Sequence, residues 1–90
     1  MKYLFLITCL LITGVTVSQD LKRDADEYYQ QENWIEAGKA YKKYLKKNNQ
    51  DSSAWYRLAY SQYKTGRFNE ALENYDNALT TNFYAGFTLY

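Results

Sequence analysis

The sequence predicts an all-α protein in which antiparallel helix pairs stack into an α–α superhelix. Eight residues recur identically at an offset of 34, where ordinary composition would give roughly two matches. The pairs are Arg23/Arg57, Ala25/Ala59, Tyr29/Tyr63, Glu36/Glu70, Ala37/Ala71, Tyr41/Tyr75, Leu45/Leu79 and Asn48/Asn82. A period of this size is typical of stacked repeats, in which each unit buries its apolar face against a neighbour. Proline is absent, so no residue forces a helix to end.

The N-terminal segment is predicted to be a secretory signal peptide covering residues 1–18. A basic start at Lys2 precedes an apolar run over 3–17, and small residues lie near its end. About 15 residues is short for a membrane span, which needs about 20. We therefore expect cleavage after Ser18, export from the cytoplasm and a mature domain over 19–90. The alternative is a membrane-anchored protein that keeps residues 3–17 as an uncleaved helix.

Charge and composition exclude several classes of function. The chain carries 11 basic and 10 acidic residues, and loss of Lys2 with the signal leaves the mature part neutral. A neutral domain has no general attraction for nucleic acid or for anionic membranes. There is no histidine, and the single cysteine, Cys9, lies within the predicted signal. No nucleophile and base are combined, so we expect no enzyme activity, no cofactor and no metal.

Four helices are expected in order along the chain, and a fifth begins near Tyr84. Their predicted ranges are 20–31, 34–47, 53–65 and 68–81. Asn33 with Glu36 has the spacing of a capping box at the second helix, and Asp51, Ser52 or Ser53 is expected to cap the third. Gly66 has the place of a helix-ending residue with positive φ. Asn82 is expected to end the fourth helix.

The second repeat unit resembles the tetratricopeptide repeat (TPR) family. Trp55, Leu58 and Ala59 match the W-x-x-L-G/A opening of that repeat, and Ala71 with Tyr75 matches its second-helix signature, A-x-x-x-F/Y. Small residues at Ala59 and Ala71 let the paired helices approach closely. The surrounding space is expected to be filled by larger side chains, namely Trp55, Leu58, Phe68, Tyr75 and Leu79.

The resemblance divides the mature domain into two complete units and part of a third. The first unit is expected over about 21–51, the second over about 52–85, and a truncated third unit over 86–90. Two units and one turn are fewer than the three or so that usually give a stable stack. We therefore expect the chain to be the N-terminal fragment of a longer exported TPR protein.

The resemblance also implies a binding surface, because the first helix of each TPR pair lines a concave groove. It places seven residues on or near this groove, namely Lys22, Asp26, Tyr29, Tyr56, Tyr60, Tyr63 and Lys64. Tyrosine suits recognition, since it offers a large contact area and a polar tip at little entropic cost. The alternative for Tyr29 and Tyr63 is packing between helices. A clamp for a C-terminal carboxylate is not supported, because Asp26 would repel the carboxylate.

The expected function is that of a scaffold binding a protein or peptide partner in the concave groove after export. A membrane contact is expected only if the N-terminal segment is uncleaved. The alternative is that the chain is the front end of an exported enzyme, such as a hydrolase or peptidase, whose catalytic domain lies beyond residue 90. The sequence does not name the partner.

Overall fold

The computed structural model describes the backbone of residues 19–89 and the side chains of residues 19–82. The secondary structure of this part is four helices, with α1 over 19–30, α2 over Trp34–Leu45, α3 over Ser52–Lys64 and α4 over Phe68–Leu89. They pack as sequential antiparallel pairs, and α3 packs against both α2 and α4. The predicted all-α fold is therefore confirmed. The predicted signal peptide, or anchor, lies outside the described residues.

The core forms where the helices approach most closely. Four alanines are almost completely buried, with exposed fractions of 2% or less at Ala25, Ala37, Ala59 and Ala71. Ala25 and Ala37 belong to one buried cluster, which also contains residues from α2 and α3, namely Tyr41, Tyr44, Leu45, Ala54 and Leu58. Methyl-sized side chains at these positions let the backbones come together, as the repeat pattern predicts.

The two hairpin turns have the same hydrogen-bond pattern. After α1, the Glu32 amide donates to the Tyr29 carbonyl at 3.0 Å and the Asn33 amide to the Tyr28 carbonyl at 2.9 Å. After α3, the Gly66 and Arg67 amides repeat these bonds 34 residues later, at 3.1 and 2.8 Å. This pair of bonds is a Schellman motif, which requires positive φ at its turning residue. Gly66 supplies it with φ 82°, as predicted, and Glu32 adopts φ 59° at the equivalent position.

The predicted caps have different outcomes at the two inter-helix boundaries. Asp51 caps α3, because its side chain accepts a hydrogen bond from the Ala54 amide at 3.3 Å. The predicted capping box at α2 is wrong, since the Asn33 side chain makes no capping hydrogen bond. The Asn33 backbone amide is already used in closing the preceding turn. Its φ and ψ of −86° and 78° differ from the extended conformation of Asp51.

The predicted end of α4 at Asn82 is also wrong, because the helix continues to Leu89. No proline follows Asn82, and asparagine ends a helix less strongly than glycine does. The hydroxyls of Thr80 and Thr81 donate to carbonyls four residues earlier, at 2.9 and 3.0 Å, which is compatible with a continuing helix. The unit boundaries at 21–51, 52–85 and 86–90 stay predictions. None of the described helices is both long enough and apolar enough to cross a bilayer.

We expect Glu32→Gly to stabilise the protein by about 1 kcal/mol, because glycine adopts positive φ without the steric penalty of a side chain. Chemical denaturation of both forms gives the difference in unfolding free energy. Glu32→Ala is the matched control, since it removes the carboxylate and keeps the Cβ atom, and it should give no such gain. Equal stability of the glycine and alanine variants would contradict the assignment of strain to this residue.

Candidate functional site

Asp26 links three helices beneath the predicted concave surface. Its carboxylate, on α1, accepts a hydrogen bond from the Tyr41 hydroxyl of α2 and one from Arg57 Nη1 of α3 at 2.7 Å. Burial, followed by the hydrogen bond to Asp26, raises the pKa of Tyr41 above its ordinary value. The Arg57 guanidinium lies over the Tyr29 ring, 5.4 Å from its centroid. Asp26 therefore fixes the positions of an arginine and a tyrosine at the surface.

Asp51 forms a second link, at the start of α3. Its carboxylate accepts hydrogen bonds from Lys22 Nζ of α1 at 2.7 Å and from the Tyr44 hydroxyl of α2 at 2.8 Å. Burial disfavours the charged form of Asp51, but bonds from Lys22, Ser53, Tyr44 and the Ala54 amide together lower its pKa well below the ordinary range. Burial and the bond to Asp51 raise the pKa of Tyr44 to about 12. This contact joins the first helix pair to the second.

Five aromatic side chains form a continuous surface, here called the aromatic row. Its members are Tyr29, Trp34, Tyr60, Tyr63 and Phe68. Ring centroids of consecutive members lie 5.3 to 6.3 Å apart, within the range of aromatic contact. Tyr63 is 51% exposed and Phe68 is 62% exposed, so the end of the row faces solvent. The Lys64 ammonium lies 5.6 Å from the centroid of the Tyr60 ring, which places a cation beside the row.

A groove of about 790 Å³ lies beside the row, between α3 and α4. We call it the tyrosine groove, and its principal walls are Tyr29, Tyr56, Arg57, Tyr75, Ala78 and Leu79. The Tyr56 and Tyr75 rings are 5.5 Å apart and meet edge to face. Burial, followed by the proximity of Tyr56 and then of Tyr29, raises the pKa of Tyr75. Tyr29 belongs to both features, so row and groove form one surface.

The structure divides the seven predicted site residues into two groups. The first group is Lys22 and Asp26, whose side chains make ion pairs within the chain. The second group lies on the joined aromatic surface and comprises Tyr29, Tyr56, Tyr60, Tyr63 and Lys64. Tyr56 is 52% exposed, whereas Tyr29 packs against Trp34 and Tyr41, as the packing alternative predicts for it. No experiment on a partner has tested the site itself.

Three contributors to this surface were not among the predicted site residues. Trp34 and Phe68 form a conservative pair at the repeat offset, a signal that indicates a shared position but not its exposure. Tyr75 was expected in the core but is only half-buried, whereas its counterpart Tyr41 is completely buried. The predicted burial of Phe68 and Leu79 is wrong, because they are 62% and 67% exposed. No described helix covers their side of α4.

In the described residues, no group of three or more acidic, cysteine or histidine side chains has the arrangement needed to hold a metal ion. The carboxylates of Asp26 and Asp51 are instead neutralised by Arg57 and Lys22. Buried side-chain nitrogen and oxygen atoms in this part of the chain all have hydrogen-bond partners. The arrangement therefore offers a rigid aromatic contact surface supported by satisfied polar groups.

We expect the ion pair of Asp51 to make stability fall in acid. A carboxylate with a lowered pKa stabilises the fold above its unfolded value of about 3.9, and this contribution is lost as the pH falls below it. Asp51→Asn keeps a side chain that caps helices but removes the charge. Unfolding free energies measured from pH 7 to pH 2 should therefore differ at neutral pH and converge in acid. For the exposed control Asp24→Asn the difference from the parent should stay small throughout, and a constant difference for Asp51→Asn would contradict the account.

Comparison with known proteins supports the repeat assignment. Residues 52–82 match the tetratricopeptide repeat family. No curated protein and no solved structure matches the chain. The match covers α3 and most of α4, which together form one helix pair. The chain is therefore a protein that contains a tetratricopeptide repeat, a repeat that in general implies protein partners.

Proposed function

We propose that this chain is an exported protein–protein interaction module that binds a protein or peptide on the aromatic row and the tyrosine groove. The carrying observation is that large aromatic side chains are exposed yet held in place by their neighbours. Tyr56, Tyr63 and Phe68 are each more than half exposed, and each contacts another aromatic ring within 6.3 Å. Side chains that are ordered before binding lose little further entropy when a partner covers them.

The charge distribution supports an uncharged contact rather than recognition of a terminal carboxylate. Lys22 is paired with Asp51, and Arg57 is paired with Asp26, both at 2.7 Å. A carboxylate on the partner would have to compete with these internal pairs and would approach Asp26. Lys64 is the cation that lies beside the aromatic row. An extended or helical peptide with apolar side chains fits the surface better.

Export and a non-enzymatic role are parts of the same proposal. Export is supported by the charged start, the apolar run and the small residues of segment 1–18. Binding without catalysis is supported by the absence of histidine from the sequence and by the pairing of Asp26 and Asp51 within the fold. The partner is then a polypeptide that the chain meets outside the cytoplasm.

We expect the double variant Tyr56→Ala/Tyr60→Ala to weaken binding of a purified natural partner by more than about 1 kcal/mol, or over fivefold in Kd. Calorimetric titration measures the change, and circular dichroism shows whether the variant remains helical. Tyr28→Ala is the control, because Tyr28 lies on α1 outside the row and the groove. Unchanged affinity in a helical double variant would show that the partner does not use this surface.

A further inference from the structure

The chain contains its own example of a helix bound in a groove equivalent to the tyrosine groove. In the first unit, α3 packs against α2, and Tyr41, Tyr44 and Leu45 of α2 are at most 8% exposed. The repeat offset of 34 relates these residues to Tyr75, Ala78 and Leu79 of α4. Leu79 is 67% exposed, whereas Leu45 is 4% exposed. The second unit therefore presents on its surface the residues that the first unit covers with a helix.

We infer that the tyrosine groove binds an amphipathic helix of a partner polypeptide, which packs on α3 and α4 as α3 packs on the first unit. This inference rests on the proposed function and specifies the form of the partner. The groove is continuous with the interface inside the chain, because α3 contributes to both. A helix laid in it would extend the existing packing and cover Leu79 and the Tyr56–Tyr75 pair.

The face of the bound helix is inferred to be uncharged. In the first unit, α3 is held partly by charge, since Arg57 pairs with Asp26 and its capping residue Asp51 pairs with Lys22. The offset places Tyr60 and Tyr56 at the positions of Asp26 and Lys22. A charged residue brought to either tyrosine would lose its hydration without gaining an opposite charge. Tyrosine instead favours aliphatic and aromatic side chains, with its hydroxyl left for a polar edge.

The groove in the second unit is also wider than its counterpart. Ala78 stands where the first unit has Tyr44, and this exchange removes an aromatic ring from the groove wall. Tyr44 is 8% exposed beneath the first-unit contacts, and Ala78 is 8% exposed in the tyrosine groove. The bound helix therefore has room for a larger apolar side chain than α3 presents at the equivalent place.

A second copy of the chain is a poor occupant, because its α1 has the wrong chemistry. The offset places Asp20, Asp24 and Glu27 of α1 at the positions of three buried α3 residues, namely Ala54, Leu58 and Ser61. Those three α1 residues are exposed. Head-to-tail stacking would bring their carboxylates onto the apolar groove, at a large desolvation cost. The groove therefore selects a helix from another polypeptide.

The test uses a peptide of residues 51–65 as the probe, acetylated and amidated, because this sequence occupies the equivalent groove in the first unit. Its binding to the full chain is followed by fluorescence anisotropy. Leu79→Asp in the protein should weaken saturable binding about tenfold or more. Leu72→Asp is the matched control, since Leu72 is also on α4 and 72% exposed but does not line the groove, and it should change Kd less than about twofold.

The peptide itself provides a second arm. Leu58→Asp in the peptide should weaken binding about tenfold, because the charge would enter the apolar contact. Arg57→Leu in the peptide should bind at least as tightly as the parent, since Tyr60 replaces the carboxylate that pairs with Arg57 in the first unit. A loss of binding on Arg57→Leu would overturn the inference of an uncharged face.

Three results would overturn the inference as a whole. They are absence of saturable peptide binding, equal losses in Leu79→Asp and Leu72→Asp, and self-association of the chain that Leu79→Asp abolishes, which would assign the groove to a second copy. The proposed function fails separately. A natural partner that depends on Tyr56 and Tyr60 but not on Leu79 would retain the interaction module and reject the bound helix.

Discussion

Close approach of antiparallel helices at alanine is the constraint on which the rest of this structure depends. Ala25, Ala37, Ala59 and Ala71 are all at most 2% exposed, and each lies at one of two positions that recur 34 residues apart. A larger side chain there would push the backbones apart, because protein interiors are close-packed and relax only partly. The spacing of the helices then determines where every aromatic side chain of α1 and α3 is directed.

The two repeat units use equivalent positions for different purposes. In the first unit, Lys22 and Asp26 form ion pairs with the start and the middle of α3, so these positions hold the two helix pairs together. In the second unit, the same positions carry Tyr56 and Tyr60, which lie in the groove and the aromatic row. A position that provides internal cohesion in one unit thus provides an exposed contact surface in the next.

The sequence was sufficient for the features that depend on local spacing. The helix ranges, the turn at Gly66 and the cap at Asp51 follow from apolar periodicity and from residues with one strong conformational preference. It was insufficient where two roles compete for one residue, as at Asn33, whose amide closes the preceding turn. It also failed at Leu79 and Phe68, because burial of a repeat position depends on a neighbouring helix, and residue type alone does not report one.

The most direct test of the account is the stability of Ala71→Leu, measured by urea unfolding against Thr80→Leu, an exposed substitution on the same helix. If helix crossing at alanine controls the fold, Ala71→Leu should lower the unfolding free energy by about 1–3 kcal/mol through overpacking. Thr80→Leu should change it by less than about 0.5 kcal/mol. Equal or higher stability of Ala71→Leu would contradict the account, because α3 and α4 would then not require a small side chain where they meet.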